Sequence, residues 1–266
     1  MTTKPSQKQL VTQFIQFTGA NEKLATKLLK AASWKLDQAV DSYFASNGAA
    51  PASKIEETLG KLFEKYRAND LEGLTSVNGT MQYCNDIGVG LENAEHLVLF
   101  EIIKAPTAGE MSKAEFVDAW KKIGADSIQK QAAYVASQVK LLSTDLALFK
   151  RVYRWTFISA KDKNQKALPL ETGLTYWKVI FSPPGMEWCT DVTNWCDLWV
   201  EFLQKNWTKS VNKDMWNQTE AFFEKVMVDP TLSFWSEDSA WPGVIDQFVE
   251  YAQREKGLKS DTMETD

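Results

Sequence analysis

A chain of 266 residues, 44% of them apolar and with charges of both signs, is long enough to bury a full core and to hold one small and one larger domain. No apolar run approaches the ~20 residues of a membrane-spanning helix, and the opening Met1–Ser6 has no hydrophobic leader, so no membrane or secretory role is expected. The net charge of −5 is unevenly spread: residues 1–50 carry six lysines against three acids, and residues 187–266 carry sixteen acids against seven bases. That acidic half should repel nucleic acid and suit a basic protein partner.

Residues 8–46 hold three sets of apolar side chains spaced three or four apart. They are Val11, Phe14 and Ile15; then Leu24, Ala25, Leu28 and Leu29; then Leu36, Ala39, Val40, Tyr43 and Phe44. The spacing predicts three short helices over residues 1–47, punctuated at Thr18-Gly19 and Ser33-Trp34. Small residues and one proline over 48–54 read as a linker. Helical patterns resume at Ile55 and run to residue 255. Leu97–Ile103 is apolar except for Glu101 and reads as buried. Ser112 and Glu115 have the spacing of a capping box ahead of Phe116. Trp195, Leu198, Trp199, Phe202 and Leu203 form one helical stripe, and Trp216, Phe222, Phe223, Val226 and Met227 form another. Strand signals are weak, at Thr75-Ser76-Val77 and Lys166-Ala167-Leu168 only. The fold class is therefore all-α, with a polar, disordered tail expected over 256–266. Most of the eleven tryptophans read as core anchors.

The residues offer little for catalysis. Three cysteines (Cys84, Cys189, Cys196) form an odd, sparse set that suits reduced thiols in cytoplasm or nucleus. His96 is the single histidine, so a zinc site lacks ligands, and no metal or other cofactor is expected. Loops at Asp70-Leu71-Glu72 and Asp162-Lys163-Asn164 lie between helices as calcium loops do. Their fifth positions are Leu74 and Lys166, and their twelfth are Met81 and Gly173, so the bidentate glutamate is missing from both. Helix–loop–helix units without calcium are expected. Cys84 and His96 stand twelve residues apart in apolar surroundings, a poor setting for an activated thiol. No phosphate-binding glycine loop or nucleophile elbow is present.

Binding remains. Asp214 opens the helix that carries Trp216, Ala240 sits in the following loop, and Asp246 lies early in the next helix. There Val244, Ile245, Phe248 and Val249 take the core side, and Asp246, Gln247 and Glu250 point outward. Two acids around a small residue suit a Lys or Arg anchor on a partner.

The chain resembles the defective-in-cullin-neddylation family along nearly its whole length. The resemblance is carried in order by Ser6-Gln7-Lys8, Phe14–Thr18, Ala32–Asp37, Ser112–Phe116, Ala125–Ile128, Tyr153–Phe157, Thr175-Tyr176-Trp177, Lys213–Trp216, Ala240-Trp241-Pro242 and Ile245-Asp246. It implies a UBA-like three-helix bundle and a larger domain of EF-hand-like units without calcium. It also implies a monomeric, non-catalytic ligase-type scaffold in protein neddylation. Such a scaffold holds a cullin's C-terminal winged-helix region beside the neddylation conjugating enzyme, and the modifier passes from that enzyme's thioester to a cullin lysine. The family's cullin-binding surface falls on Asp214, Ala240 and Asp246. Its pocket for the conjugating enzyme's acetylated N-terminal Met falls on Val77, Thr80, Tyr83, Leu99, Phe100, Met111, Tyr176 and Val179. The bundle would take ubiquitin or the cullin modifier, although Phe17-Thr18-Gly19-Ala20 lacks the aromatic residue that UBA loops often carry after the glycine. The alternative is a UBA-type ubiquitin-binding adaptor with a helical protein-interaction domain.

Overall fold

The computed structural model describes residues 6–18, 22–46, 51–67, 72–236 and 238–256. The chain divides into two units, Met1–Thr58 and Leu59–Asp266. The predicted all-α class holds, with a few two-residue strands added.

In the first unit the three apolar stripes fold as α1 (Gln7–Thr18), α2 (Glu22–Ala31) and α3 (Leu36–Ser46). They converge on Leu10, Phe14, Ala25, Leu29, Ala39 and Tyr43. Phe14 meets Tyr43 edge-on at 5.7 Å, a favourable arrangement of ring quadrupoles. The turn after α2 passes through Ser33 and Trp34 at φ 51° and 61°. It closes with the Trp34 N–H on the Leu29 carbonyl at 2.7 Å, so the predicted break falls where the backbone turns left-handed.

Helix α4 (Pro51–Phe63) starts earlier than composition suggests. Residues 51–54, read as linker, already belong to it. Proline's fixed φ suits a helix's first position and its missing N–H costs nothing there. The rest of that stretch, 48–50, and the tail 257–266 lie outside the described residues.

The second unit continues with α5 (Val77–Asp86), α6 (Glu95–Ile102), α7 (Lys113–Ile123), α8 (Ile128–Leu141) and α9 (Leu146–Ser159). Then come β1 (Ala167–Leu168), α10 (Leu170–Ile180), β2 (Cys189–Thr190), β3 (Thr193–Asn194) and α11 (Trp195–Asn206). The last elements are β4 (Val211–Asn212), α12 (Lys213–Val228) and α13 (Gly243–Lys256). Ser76, Ser127, Asp145, Asn194 and Asn212 each cap the helix that follows, the side-chain oxygen accepting from an N–H three residues on. Ser112 behaves otherwise. It makes no side-chain cap bond; its hydroxyl donates directly to the Glu115 carboxylate. The capping box read from Ser112 and Glu115 therefore closes side chain to side chain and not onto the backbone N–H groups.

Helix–loop–helix units pair through their loops, as EF-hands do. Ahead of α5 and α7, Leu74 bridges Ser112 and the Thr75 N–H donates to Met111 at 3.0 Å. Ahead of α10 and α12, Ala167 pairs with Asn212 and Leu168 with Val211. Both weak strand signals thus mark pairing loops, although Ser76 already caps α5 and Val77 begins it. A β-carbon at Gly173 would sit 2.8 Å from Val211 Cγ2. The position where a calcium loop needs its glutamate is therefore filled by packing.

The main core joins α6, α9, α10, α11, α12 and α13. Leu97, Val98, Leu99, Phe100, Glu101 and Ile103 are buried, as the apolar run predicts. At the centre, Tyr153, Trp177 and Trp216 are fully buried. Trp216 stacks on Tyr153 at 4.6 Å and on Trp177 at 5.1 Å. The Tyr153 hydroxyl donates to the Trp216 carbonyl and accepts from Trp177 Nε1, both at 2.8 Å. Trp216 Nε1 returns a bond to the Tyr153 carbonyl at 2.9 Å. Nearby, Arg154 grips the buried Glu220 with two bonds of 2.9 Å. No helix of the described residues is long and apolar enough to cross a membrane.

Candidate docking surface

Asp214 owes its position to Asn212. The Asn212 backbone pairs with Ala167 in the β1–β4 ladder, and its side chain accepts from the Met215 N–H at 2.8 Å. The helix therefore starts in a fixed register. Met215 and Trp216 turn inward, at 5% and 0% exposure, and Asp214 stays on the exposed side of the first turn. An acid there also faces the positive end of the helix dipole.

The connection from α12 to α13 is organised by Asp229. Its carboxylate accepts from the Thr231 N–H at 3.0 Å and from the Ser233 hydroxyl at 2.6 Å. Hydrogen bonds from Ser233, then Thr231, hold its carboxyl below the usual carboxylate range. The turn buries Leu232, at φ 64° and 2% exposure. Further on, Trp241 stands edge-on to Phe222 at 5.7 Å and to Phe234 at 6.4 Å. Ala240 is exposed beside it. The Pro242 carbonyl accepts from the Ile245 and Asp246 N–H groups at 2.7 and 3.4 Å, which sets the first turn of α13. Val244, Ile245, Phe248 and Val249 are buried, as read from spacing.

Asp246 corrects its expectation in part. Gln247 and Glu250 are exposed as predicted, but Asp246 is half-buried. Its Oδ1 accepts a hydrogen bond from Trp235 Nε1 at 2.9 Å. A loop tryptophan eleven residues upstream leaves no periodic signal, so nothing in the spacing could have found it.

Between the starts of α12 and α13 lies a groove of about 340 Å³. Asn212, Asp214 and Met215 from the start of α12 line it, with Pro242, Gly243, Val244 and Gln247 from the start of α13 and Trp207 and Lys209 from the segment after α11. A β-carbon at Gly243 would meet nothing within 4 Å, so the backbone is open to a partner there. Asp214 thus shares a concavity with the start of α13, and Ala240 and Asp246 lie outside its lining. Sequence reasoning missed Trp207 and read Gln247 only as an outward residue of the last helix. It also missed Lys209, whose ammonium lies 5.4 Å from the centre of the Trp207 ring. The rim is therefore not purely acidic.

The eight residues expected around an acetylated Met separate by burial. Thr80, Tyr83, Leu99, Phe100 and Met111 are buried at 0–2% exposure. The Thr80 hydroxyl donates to the Gly109 carbonyl at 3.0 Å, and the Tyr83 hydroxyl to Gln131 Oε1 at 2.8 Å. Val77 is exposed, and Tyr176 and Val179 are half-buried against the main core. A β-carbon at Gly109 would lie 2.8 Å from Val77 Cγ2, so Val77, Thr80 and the 107–110 turn are brought together.

Cys84 and Cys196 are buried free thiols, and Cys189 is half-buried. Burial pushes Cys84 up to about 11 and Cys196 up to about 12, far from a reactive thiolate. Burial also lowers His96 below the ordinary imidazole value, and among the described residues its Nδ1 finds no hydrogen-bond partner. Among the described residues no three His, Cys, Asp or Glu side chains come together as a metal site would need.

The family model for cullin binding matches residues 129–251, which include Asp214, Ala240 and Asp246. The model for a UBA-like domain matches residues 8–50. "Defective in cullin neddylation protein 1" of Pyricularia oryzae is 40% identical, covering 95% of this chain and 94% of its own. The protein of the same name from Cryptococcus neoformans is 31% identical over 93% and 94%. That from Saccharomyces cerevisiae is 25% identical over 93% and 94%.

Proposed function

Because the chain belongs to the defective-in-cullin-neddylation family, we propose that it serves cullin neddylation as a non-catalytic scaffold. Its larger unit docks a cullin's C-terminal winged-helix region through Asp214, Ala240 and Asp246. The observation that carries this reading is the groove where Asp214 and the first turn of α13 face one space. An exposed Ala240 and the half-buried Asp246 stand close by in sequence, outside its lining. Carboxylates on rigid helix starts, beside open backbone at Gly243, suit a lysine or arginine anchored next to an apolar contact.

A second grip holds the neddylation conjugating enzyme, whose acetylated N-terminal Met lies against Val77, Tyr176 and Val179. The buried Thr80, Tyr83, Leu99, Phe100 and Met111 form the wall behind them. Acetylation removes an ammonium that would be costly to desolvate. The cullin lysine then attacks the conjugating enzyme's thioester directly. The scaffold contributes proximity and orientation, which can supply several kcal/mol toward the barrier. Burial and the raised thiols make Cys84 and Cys196 poor carriers of a covalent intermediate. The UBA-like bundle takes ubiquitin or the cullin modifier; the loop at Phe17–Ala20, which would face it, has no described side chains. We place this work in cytoplasm and nucleus.

The test is a purified transfer assay with and without the chain, paired with direct binding to a cullin C-terminal region. Asp246→Lys should weaken cullin binding by ~2 kcal/mol or more, as charge reversal at an anchor does, while folding survives. Wild-type affinity in that variant refutes the surface. Equal binding of acetylated and free N-terminal peptides of the conjugating enzyme refutes the second grip.

A further inference from the structure

Resting on the docking surface proposed above, we infer that Trp235 is a positioning residue. Its indole N–H fixes the Asp246 carboxylate, so that one oxygen is held and the other is presented to a basic side chain of the cullin.

The geometry separates the two residues' supports. Trp235 is placed by its own loop. The Asp229 carboxylate ties Thr231 and Ser233, Leu232 is buried at a left-handed φ, and the Trp235 N–H donates to the Leu232 carbonyl at 3.0 Å. Past it, Ser236 and Ser239 close a small turn, with the Ser239 N–H on the Ser236 carbonyl at 2.9 Å. The indole is half-buried against the main core. None of these contacts depends on Asp246. The loop that carries the ring is therefore held without Asp246.

Asp246, by contrast, stands on α13 with two free side-chain torsions. Left alone, its carboxylate could rotate among staggered positions, and an incoming cation would have to freeze it. The bond from Trp235 Nε1 to Oδ1 does that in advance. Among the described residues Oδ2 accepts no hydrogen bond. The neighbouring surface is accessible, with Ala240, Gln247 and Glu250 all exposed. The arrangement is a carboxylate pre-set for one charge-assisted bond.

The experiment measures binding of the full chain to a purified cullin C-terminal region. The variants are Trp235→Phe, Asp246→Asn, Asp214→Asn and the two doubles with Trp235→Phe. Phenylalanine keeps most of the packing and removes the donor. Trp235→Phe should weaken binding about three- to tenfold, the worth of one net hydrogen bond. The loss should vanish in the Asp246→Asn background and persist in full in the Asp214→Asn background. If Asp246→Asn weakens binding and Trp235→Phe does not, the positioning role is overturned and the docking surface stands. If Trp235→Phe costs as much with Asp246 already replaced, the indole acts on its own and the inference is again overturned. If Asp246→Asn has no effect, the docking surface itself is wrong. Should Trp235→Phe fail to fold, the indole N–H resonance of the wild-type protein serves instead. It must move when Asp246 is changed to Ala, which removes the acceptor; an unmoved resonance overturns the bond.

Discussion

Replacing Tyr153 with Phe removes one oxygen from the centre of the larger unit. The ring remains, and with it the stack on Trp216 at 4.6 Å and the contacts to Phe149 and Phe181 at 5.9 and 5.8 Å. Two hydrogen bonds of 2.8 Å are lost, one donated to the Trp216 carbonyl and one accepted from Trp177 Nε1. They are not equivalent. The Trp216 carbonyl lies inside α12 and keeps its place in the helical ladder, so its loss is ~0.5–1.5 kcal/mol. The Trp177 indole is fully buried and is left with no acceptor, which costs ~1–3 kcal/mol. The sum is about 2–4 kcal/mol. For a unit of this size that corresponds to a fall of roughly 5–15 °C in its melting temperature. Urea unfolding followed by near-ultraviolet circular dichroism should show a lower midpoint at unchanged slope. At 25 °C the folded variant should still bind the cullin region normally, because Asn212 and the β1–β4 ladder, not Tyr153, set Asp214. A loss below ~0.5 kcal/mol would mean that the buried indole finds another acceptor, and the reasoning about unmatched donors would fail.

Two glycines in helices should respond with opposite sign. Gly60→Ala in α4 meets only the far end of Lys113 at 3.7 Å and should stabilise by ~0.5–1 kcal/mol through helix propensity. Gly79→Ala in α5 would set a methyl 2.0 Å from the Tyr66 carbonyl oxygen, so it should destabilise by ~2 kcal/mol or more; denaturant midpoints of both variants decide. For pH, His96 is the chain's single histidine and burial lowers its folded pKa. The unfolded chain then binds the extra proton first, so stability is complete above the unfolded value of about 6.5 and falls as pH drops below it. His96→Leu should flatten stability between pH 6.5 and 5, and an unchanged slope there would show that another group is responsible.

The fold was legible wherever a period of three or four carried the information. The three stripes of the first unit and the run Leu97–Ile103 lie where their spacing puts them. Spacing is blind to side-chain bonds between elements. It had no means of joining Trp235 to Asp246, or of turning the Ser112 hydroxyl from the backbone to Glu115. Composition misjudged Pro51, because a proline amid small residues resembles a linker until a helix begins on it. At the candidate surface, the exposure of Asp214 followed from the helix start. The groove beside it did not, since Trp207 and Gln247 come to line one space only in the folded chain.

The near-parallel indoles of Trp177 and Trp216, 5.1 Å apart and inclined by 15°, have an optical consequence. Their transition dipoles are close enough to mix, so the pair should absorb and rotate polarised light as one chromophore. One ring belongs to α10 and the other to α12. The couplet therefore reports whether α12 is seated. It would fade if that helix lifted away with its coil intact, when far-ultraviolet signals would register almost nothing.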